Sequence, residues 1–311
     1  MTVFRRHANA GLLVLFLTAP PAGAQEKQPV TAEDYGRWET LREGALSPDG
    51  LWLVYEIGRV NGNDELRLHK LQAEKLNEPF KSAGFGSKPA FSDDSRFMAY
   101  RIGVHEDERL RAEKEKKSVR DKMGLVSLDA GTAEVIEHVQ TFAFSEGSPH
   151  LAIHLYPPEK EDDEEDETLG ADLMVRDLST LRNASFGNVS EFLWQPKGTL
   201  LAMIIATERG TGNGIQLFEP SSGVLRVLDS SSSSYQRLAW RKDSDDLVAL
   251  RTNKDEQDED EMNIVLAWKN LSSAPERFVY DPSDKSEFPT DARIVEFRAL
   301  EWAEDGATVF V

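Results

Sequence analysis

The chain has 311 residues, 40% of them hydrophobic and 29% charged, enough to bury a large core as two ordinary domains or one repeat-built domain. Its formal charge of −19 excludes a nucleic-acid-binding protein, which needs a basic face. The complete lack of cysteine excludes disulfides, thiolate nucleophiles, zinc–thiolate sites and a lipoprotein anchor.

In chain order, the first element is a leader. Arg5 and Arg6 supply a positive start, Leu12 to Leu17 a short apolar core, and Ala22-Gly23-Ala24 a small-residue cleavage site before Gln25. This pattern predicts a secretory signal peptide over 1–24, with an uncleaved anchor as the rival reading. The apolar run is too short to span a bilayer, and no later segment is apolar enough to do so. The mature chain is therefore expected in a periplasm or outside the cell.

Residues 25–44 read as a polar lead followed by a short helix over 31–44. Thr31 is placed to cap it, Asp34 stands at capping-box spacing and Gly44 ends it. Tyr35, Trp38 and Leu41, three apart, would form an apolar stripe docked on the domain that begins at residue 45.

From residue 45 the sequence repeats. ALSPDGLWLVY (45–55), AFSDDSRFMAY (90–100), AFSEGSPHLAI (143–153), LWQPKGTLLAM (193–203), AWRKDSDDLVA (239–249) and EWAEDGATVFV (301–311) align without a gap. The second position is always large and apolar, the sixth is Gly or Ser, and the ninth and tenth are apolar. Each copy reads as two strands joined by a tight turn, in which Pro48 presets φ and Gly50 relieves the exit. Asp49 is a turn residue rather than a site residue, because Asp94, Gly147, Lys197, Asp243 and Asp305 replace it in the other copies.

Third strands follow at 66–71, 124–129, 172–178, 215–219 and 263–268, and fourth strands at 133–136 and 224–228. Steps of 45, 53, 50, 46 and 62 residues between copies signal radial repetition. The expected fold is all-β: a β-propeller over 45–311 of four-stranded antiparallel blades starting near 45, 90, 143, 193, 239 and 301. This amounts to five blades plus the start of a sixth, an incomplete ring expected to belong to a longer protein. The position-two residues are expected in the core between blades.

The longer steps are insertions. Residues 105–122 form a charged excursion between the second and third strands of the second blade. Acidic tracts occupy the same place in the third and fifth blades. Residues 159–167 carry eight acids and one lysine, residues 254–261 six acids and one lysine, and together they hold −12 of the −19. Segments this polar cannot fold alone.

Catalytic signals are lacking. There is no G-x-S-x-G elbow, and His105-Glu106 lacks the second histidine of H-E-x-x-H. His150 and His154 share a strand parity near His138, which leaves a metal site open beside the reading of ordinary strand histidines. Gly210 to Gly214 imitates a phosphate loop but joins two strands, so a hairpin turn is expected. The acidic tracts lack the spacing of a calcium loop. No catalytic, metal or cofactor-binding residue is assigned, and no cofactor is expected.

The S-P-D-G turn with its following apolar strand resembles the propeller repeats of the prolyl oligopeptidase family of serine peptidases, including its dipeptidyl and acylaminoacyl branches. It is also similar to TolB-like periplasmic propellers. The Tyr35…Trp38 lead and the Lys/Glu-rich insertion of 105–122 resemble secreted bacterial members of the peptidase family. That resemblance implies a C-terminal α/β-hydrolase domain with a Ser-Asp-His triad, covered by a propeller that restricts access to short peptides. No triad residue can be carried onto this chain. The implied role is the non-catalytic gate of a periplasmic peptidase, its partners being short peptides and a hydrolase domain. The alternative is a TolB-like scaffold that binds a periplasmic protein.

Overall fold

A computed structural model describes residues 29–36, 38–72, 78–158, 170–253, 262–289 and 292–311. The leader over 1–24 and both acidic tracts lie outside these residues.

The described chain is all-β, with antiparallel strands paired in sequence order. The first sheet holds β1 (Glu39–Leu46), β2 (Trp52–Arg59), β3 (Glu65–Lys70) and β4 (Lys81–Gly84). The second holds β5 (Gly86–Phe91), β6 (Phe97–Ile102), β7 (Lys122–Ser127) and β8 (Ala133–Ile136). β9 (Val139–Phe144), β10 (His150–Leu155) and β11 (Ala171–Asp177) lead into the long strand β12 (Asn183–Trp194), and β13 (Leu201–Ile205), β14 (Gly214–Glu219) and β15 (Val224–Ser230) follow. Next come β16 (Ser234–Trp240), β17 (Leu247–Asn253), β18 (Met262–Lys269) and β19 (Glu276–Tyr280), then the pair β20 (Glu301–Trp302) and β21 (Val309–Phe310).

The strand β12 departs from separate four-stranded units. Its first half pairs with β11 and its second half with β13, so two repeats share one continuous strand. The pivot is Asn188, at φ +57°. Gly170 presses on this pivot, where a Cβ would meet the Asn188 carbonyl oxygen at 2.1 Å.

The six motif copies fold alike at their turns. The third-position amide donates to the eighth-position carbonyl in every copy, from Ser47 to Trp52 (3.0 Å) through Ala303 to Thr308 (2.9 Å). The left-handed residue falls at position six for Gly50, Ser95 and Gly306, but at position five for Lys197 and Asp243. Asp49 is a turn residue, accepting from the Ser47 hydroxyl (2.5 Å) and the Leu51 amide (2.9 Å). Asp94 does the same with Ser92 and Arg96.

Period-two alternation explains why positions nine and ten are both apolar. In the interior sheets the ninth residue faces the preceding sheet and the tenth faces the next. Met98 packs with Val54 and Leu68 of the first sheet, whereas neighbouring Ala99 packs with Leu151 and Ile153. Leu201 and Ala202 divide in the same way, as do Leu247 and Val248. Five hydrophobic clusters result among the described residues, each shared by consecutive repeats.

Position two is less uniform than expected. Trp194 and Trp240 are buried, Phe91, Phe144 and Trp302 are partly covered, and Leu46 is 59% exposed because no sheet lies before the first among the described residues. The tryptophans add a polar bond. The indole N–H groups of Trp194, Trp240 and Trp302 donate to the position-one carbonyls of the previous copy, Ala143 (3.0 Å), Leu193 (3.1 Å) and Ala239 (3.3 Å).

The helix expected over 31–44 is corrected to a single turn, α1 (Ala32–Tyr35). The Asp34 carboxylate does reach back to the Thr31 amide (2.8 Å). From Glu39 onward, however, the chain pairs with β2 across a bulge between Leu41 and Gly44. Tyr35 and Trp38 touch at 4.5 Å between ring centroids but stay exposed, so the stripe docks on nothing among the described residues.

Candidate functional site

In these antiparallel sheets the motif turns gather at one end and the connections between second and third strands at the other. The insertion of 105–122 leaves the second sheet at the latter end, between β6 and β7 as expected, and folds as α2 (Glu106–Lys114). His105 caps this helix. Its Nδ1 accepts from the Asp107 amide (3.1 Å), and its Nε2 bonds to the Asn61 carbonyl of the first sheet (3.0 Å). With Nδ1 accepting from the Asp107 amide, Nε2 is the ring nitrogen left to donate to Asn61.

Beneath α2, between the first and second sheets, lies a polar cleft of about 410 Å³. Arg42 of β1, Arg101 of β6 and Arg109 of α2 line it, opposed by Glu56, Asp64 and Glu106. Arg42 donates to Asp64 (2.6 Å). Arg101 and Arg109 converge on Asp121, which is 2% exposed and also accepts from the Tyr156 hydroxyl (3.3 Å). Asp121 thus fastens α2 and the third sheet to the second. Gly86 lets the walls approach, since a Cβ there would lie 2.6 Å from that of Leu66.

The charge network continues onto the outward face of the first sheet. Arg59 and Arg67 each bridge Glu39 and Glu65 at 2.7–3.1 Å. Burial alone would raise the Glu65 carboxyl, but hydrogen bonds from Arg59, Arg67 and Ser82 overcome this and bring it down to about 2. The folded state therefore favours the carboxylate. The stability it contributes is full above the usual value of 4.5 and is lost as pH falls toward about 2. Glu65→Gln should lower stability at pH 7 by about 1–2 kcal/mol and flatten the acid limb of a urea-denaturation pH series between those values.

The histidines take structural positions. His154 is buried, and its Nε2 donates to the Val189 carbonyl (2.7 Å). His138 stands at φ +58° between β8 and β9. Among the described residues no group of three His, Asp or Glu side chains is placed to hold a metal ion.

Serine, histidine and aspartate do meet at the third motif turn. Asp177 pairs in register with His150, whose Nδ1 lies 3.0 Å from Ser148 Oγ. The bonds run away from an activated nucleophile. Ser148 donates to Ser145 (2.9 Å), and Ser145 donates to the Gly198 carbonyl (3.3 Å), so His150 serves Ser148 as donor, not base. The Asp177 carboxylate is taken up by Ser179 and Thr180, which hold it well below the usual range.

Residues 210–214 form the expected turn between β13 and β14. Asn213 closes it, accepting from the Thr207 amide (2.8 Å) and donating to the Ser233 carbonyl (3.1 Å).

No family model and no curated protein matches the sequence. Solved structures similar to the chain include β-propeller domains of prolyl oligopeptidase-type peptidases and TolB. The propeller domain of the trilobed protease from Pyrococcus furiosus is 10% identical, with TM-score 0.42, covering 81% of this chain and 73% of that one. An acylaminoacyl peptidase from Pyrococcus horikoshii is 11% identical, with TM-score 0.40, covering 79% of this chain and 40% of that one. TolB from Acinetobacter baumannii is 15% identical, with TM-score 0.36, covering 86% and 56%. Among the described residues no helix is long and apolar enough to cross a membrane.

Proposed function

We propose that residues 45–311 are propeller blades, five and the opening strands of a sixth, of a larger periplasmic serine peptidase. In this reading the propeller limits which peptides reach an α/β-hydrolase domain encoded outside this chain. The observation that carries it is the folding of six S-P-D-G-type copies into successive face-packed antiparallel sheets. The arginine-lined cleft under α2 supports it further by giving the end with the long connections a surface suited to the charged ends of peptides. Export follows from the leader. N-terminal sequencing of the periplasmic product is expected to begin at Gln25.

Fluorophosphonate labelling tests the division of labour. The 311-residue chain is expected to take no label, while the complete gene product is labelled on a serine outside residues 1–311 and cleaves short peptides. Labelling of the 311-residue chain overturns the assignment. An unlabelled complete product that captures a periplasmic protein supports the TolB-like scaffold instead.

A further inference from the structure

Asparagine followed by glycine is the pair most prone to lose its side-chain amide, because no neighbouring Cβ shields the glycine nitrogen. The chain has two such pairs, Asn61-Gly62 and Asn213-Gly214. The fold treats them in opposite ways. Asn213 is 6% exposed, with Oδ1 accepting from the Thr207 amide (2.8 Å) and Nδ2 donating to the Ser233 carbonyl (3.1 Å). Asn61 stands exposed on the turn from β2 to β3.

That turn brings the reacting groups together. Asn61 Oδ1 accepts from the Asn63 amide (3.1 Å). The bond draws the side-chain carbonyl over the peptide that joins Asn61 to Gly62, and polarises it in the sense that nucleophilic attack needs. The glycine itself is demanded by the fold. Its φ is +74°, and a Cβ there would lie 3.1 Å from His105 Nε2. One bond opposes the reaction: the Gly62 amide donates to the Arg59 carbonyl (2.9 Å) and must first let go. Opening is local, since Val60 and Asn61 between them are both exposed and no core contact has to break.

We propose that Asn61 is a site of spontaneous deamidation, and that the change loosens the hold of the first sheet on α2. The Gly62 nitrogen bonds to Asn61 Cγ and its proton passes to solvent. Nδ2 takes up a proton and leaves as ammonia, closing a succinimide. Water is the one co-reactant, and no group is oxidised or reduced. Ring opening at Cγ gives aspartate, and opening at the former main-chain carbonyl gives isoaspartate.

The isoaspartate has the larger structural effect. It places Cβ and Cγ in the main chain and turns the Asn61 carbonyl, the partner of His105 Nε2 (3.0 Å), into a carboxylate on a branch. A short way along the chain, Asp64 holds the Arg59 amide (2.8 Å) and Arg42 (2.6 Å) at the wall of the cleft. The added length thus falls between the contact that anchors α2 and the contact that fixes the cleft wall. The aspartate leaves the main chain as it was and adds only a charge. None of this depends on the peptidase reading.

The test ages the protein in mildly alkaline buffer at body temperature and maps its peptides by mass spectrometry, with isoaspartyl methyltransferase labelling to separate the two products. Asn61 is expected to convert at least roughly tenfold faster than Asn213. In the isoaspartate fraction the amides of α2 should exchange several-fold faster than in fresh protein. Freshly prepared Asn61→Asp, with an unlengthened chain, should keep them near the starting rate. Asn61→Gln, which closes the corresponding ring far less readily, should hold that rate constant through the same ageing. An Asn61 that converts only after urea unfolds the chain, or equal rates at Asn61 and Asn213, overturns the site. Conversion with unchanged exchange in α2 overturns the loosening.

Discussion

Asp121→Ala should cost about 3 kcal/mol of folding stability, among the largest effects expected of a single polar substitution in this chain. The carboxylate is almost fully buried and is shared by Arg101, Arg109 and the Tyr156 hydroxyl. Removing it leaves two guanidinium groups facing each other beside the cleft. They are 30% and 46% exposed, so water recovers part of the loss, which keeps the figure at the lower end for broken buried pairs. The effect should also be local. α2 has no buried residue of its own, so the contact from Arg109 is a main tether, and its amides should exchange at nearly the rate of an unstructured segment. Urea denaturation gives the first number and hydrogen exchange the second. A variant that loses less than about 1 kcal/mol and keeps α2 protected would show that the arginines find other partners.

Trp240→Ala should cost about 3–5 kcal/mol, and Trp240→Phe about 1 kcal/mol. The indole fills the contact between the fourth and fifth repeats, in a cluster with Leu217, Leu247 and Leu266. Alanine leaves a cavity there. Phenylalanine keeps most of the volume but strips the Leu193 carbonyl of its donor. The difference between the variants separates packing from the hydrogen bond. A Trp240→Phe variant with no loss by chemical denaturation would mean that the bond to Leu193 contributes nothing, and equal losses in the two variants would mean the same of the packing.

The repeat could be read from sequence because every interior sheet must satisfy two neighbours at once. That requirement forces adjacent apolar residues at positions nine and ten, and such a doublet beside a Gly- or Ser-bearing turn is visible without coordinates. The first and last sheets have one neighbour each among the described residues, and the same reasoning weakens there. Leu46 obeys the pattern and is nevertheless exposed. Tyr35, Trp38 and Leu41 carry helical spacing, and Thr31 and Asp34 form the expected bond, yet pairing with β2 claims the chain from Glu39. Local propensity lost to a partner strand that the spacing of one segment cannot reveal. The continuous strand β12 bends at Asn188, and pairing with β11 on one half and β13 on the other, which no local spacing shows, keeps it in one piece.

The cleft was the least legible part. Arg42, Arg101, Arg109 and Asp121 come from two strands, a helix and a connection, and no spacing links them. The single signal was Asp121 itself, an acid at the end of a mixed-charge insertion, with Lys122 alone between it and the apolar run that starts at Met123. An isolated carboxylate at such a border usually needs a cationic partner.

The forward-facing residue of the motif is small in three successive copies, at Ala99, Ala152 and Ala202, each fully buried. A methyl group at that place fixes how closely one sheet can lean on the next, so side-chain volume at a single recurring position acts as a spacer for the whole array. The same increment is set three times over, and a bulky replacement at any one of them would wedge its interface open. Everything on the far side of that interface would then swing as a unit, with a lever arm that grows with each further sheet. The distance between sheets is thus held by a small side chain at one recurring position, and a change of a few carbon atoms in the middle of the stack is expected to displace its ends the most.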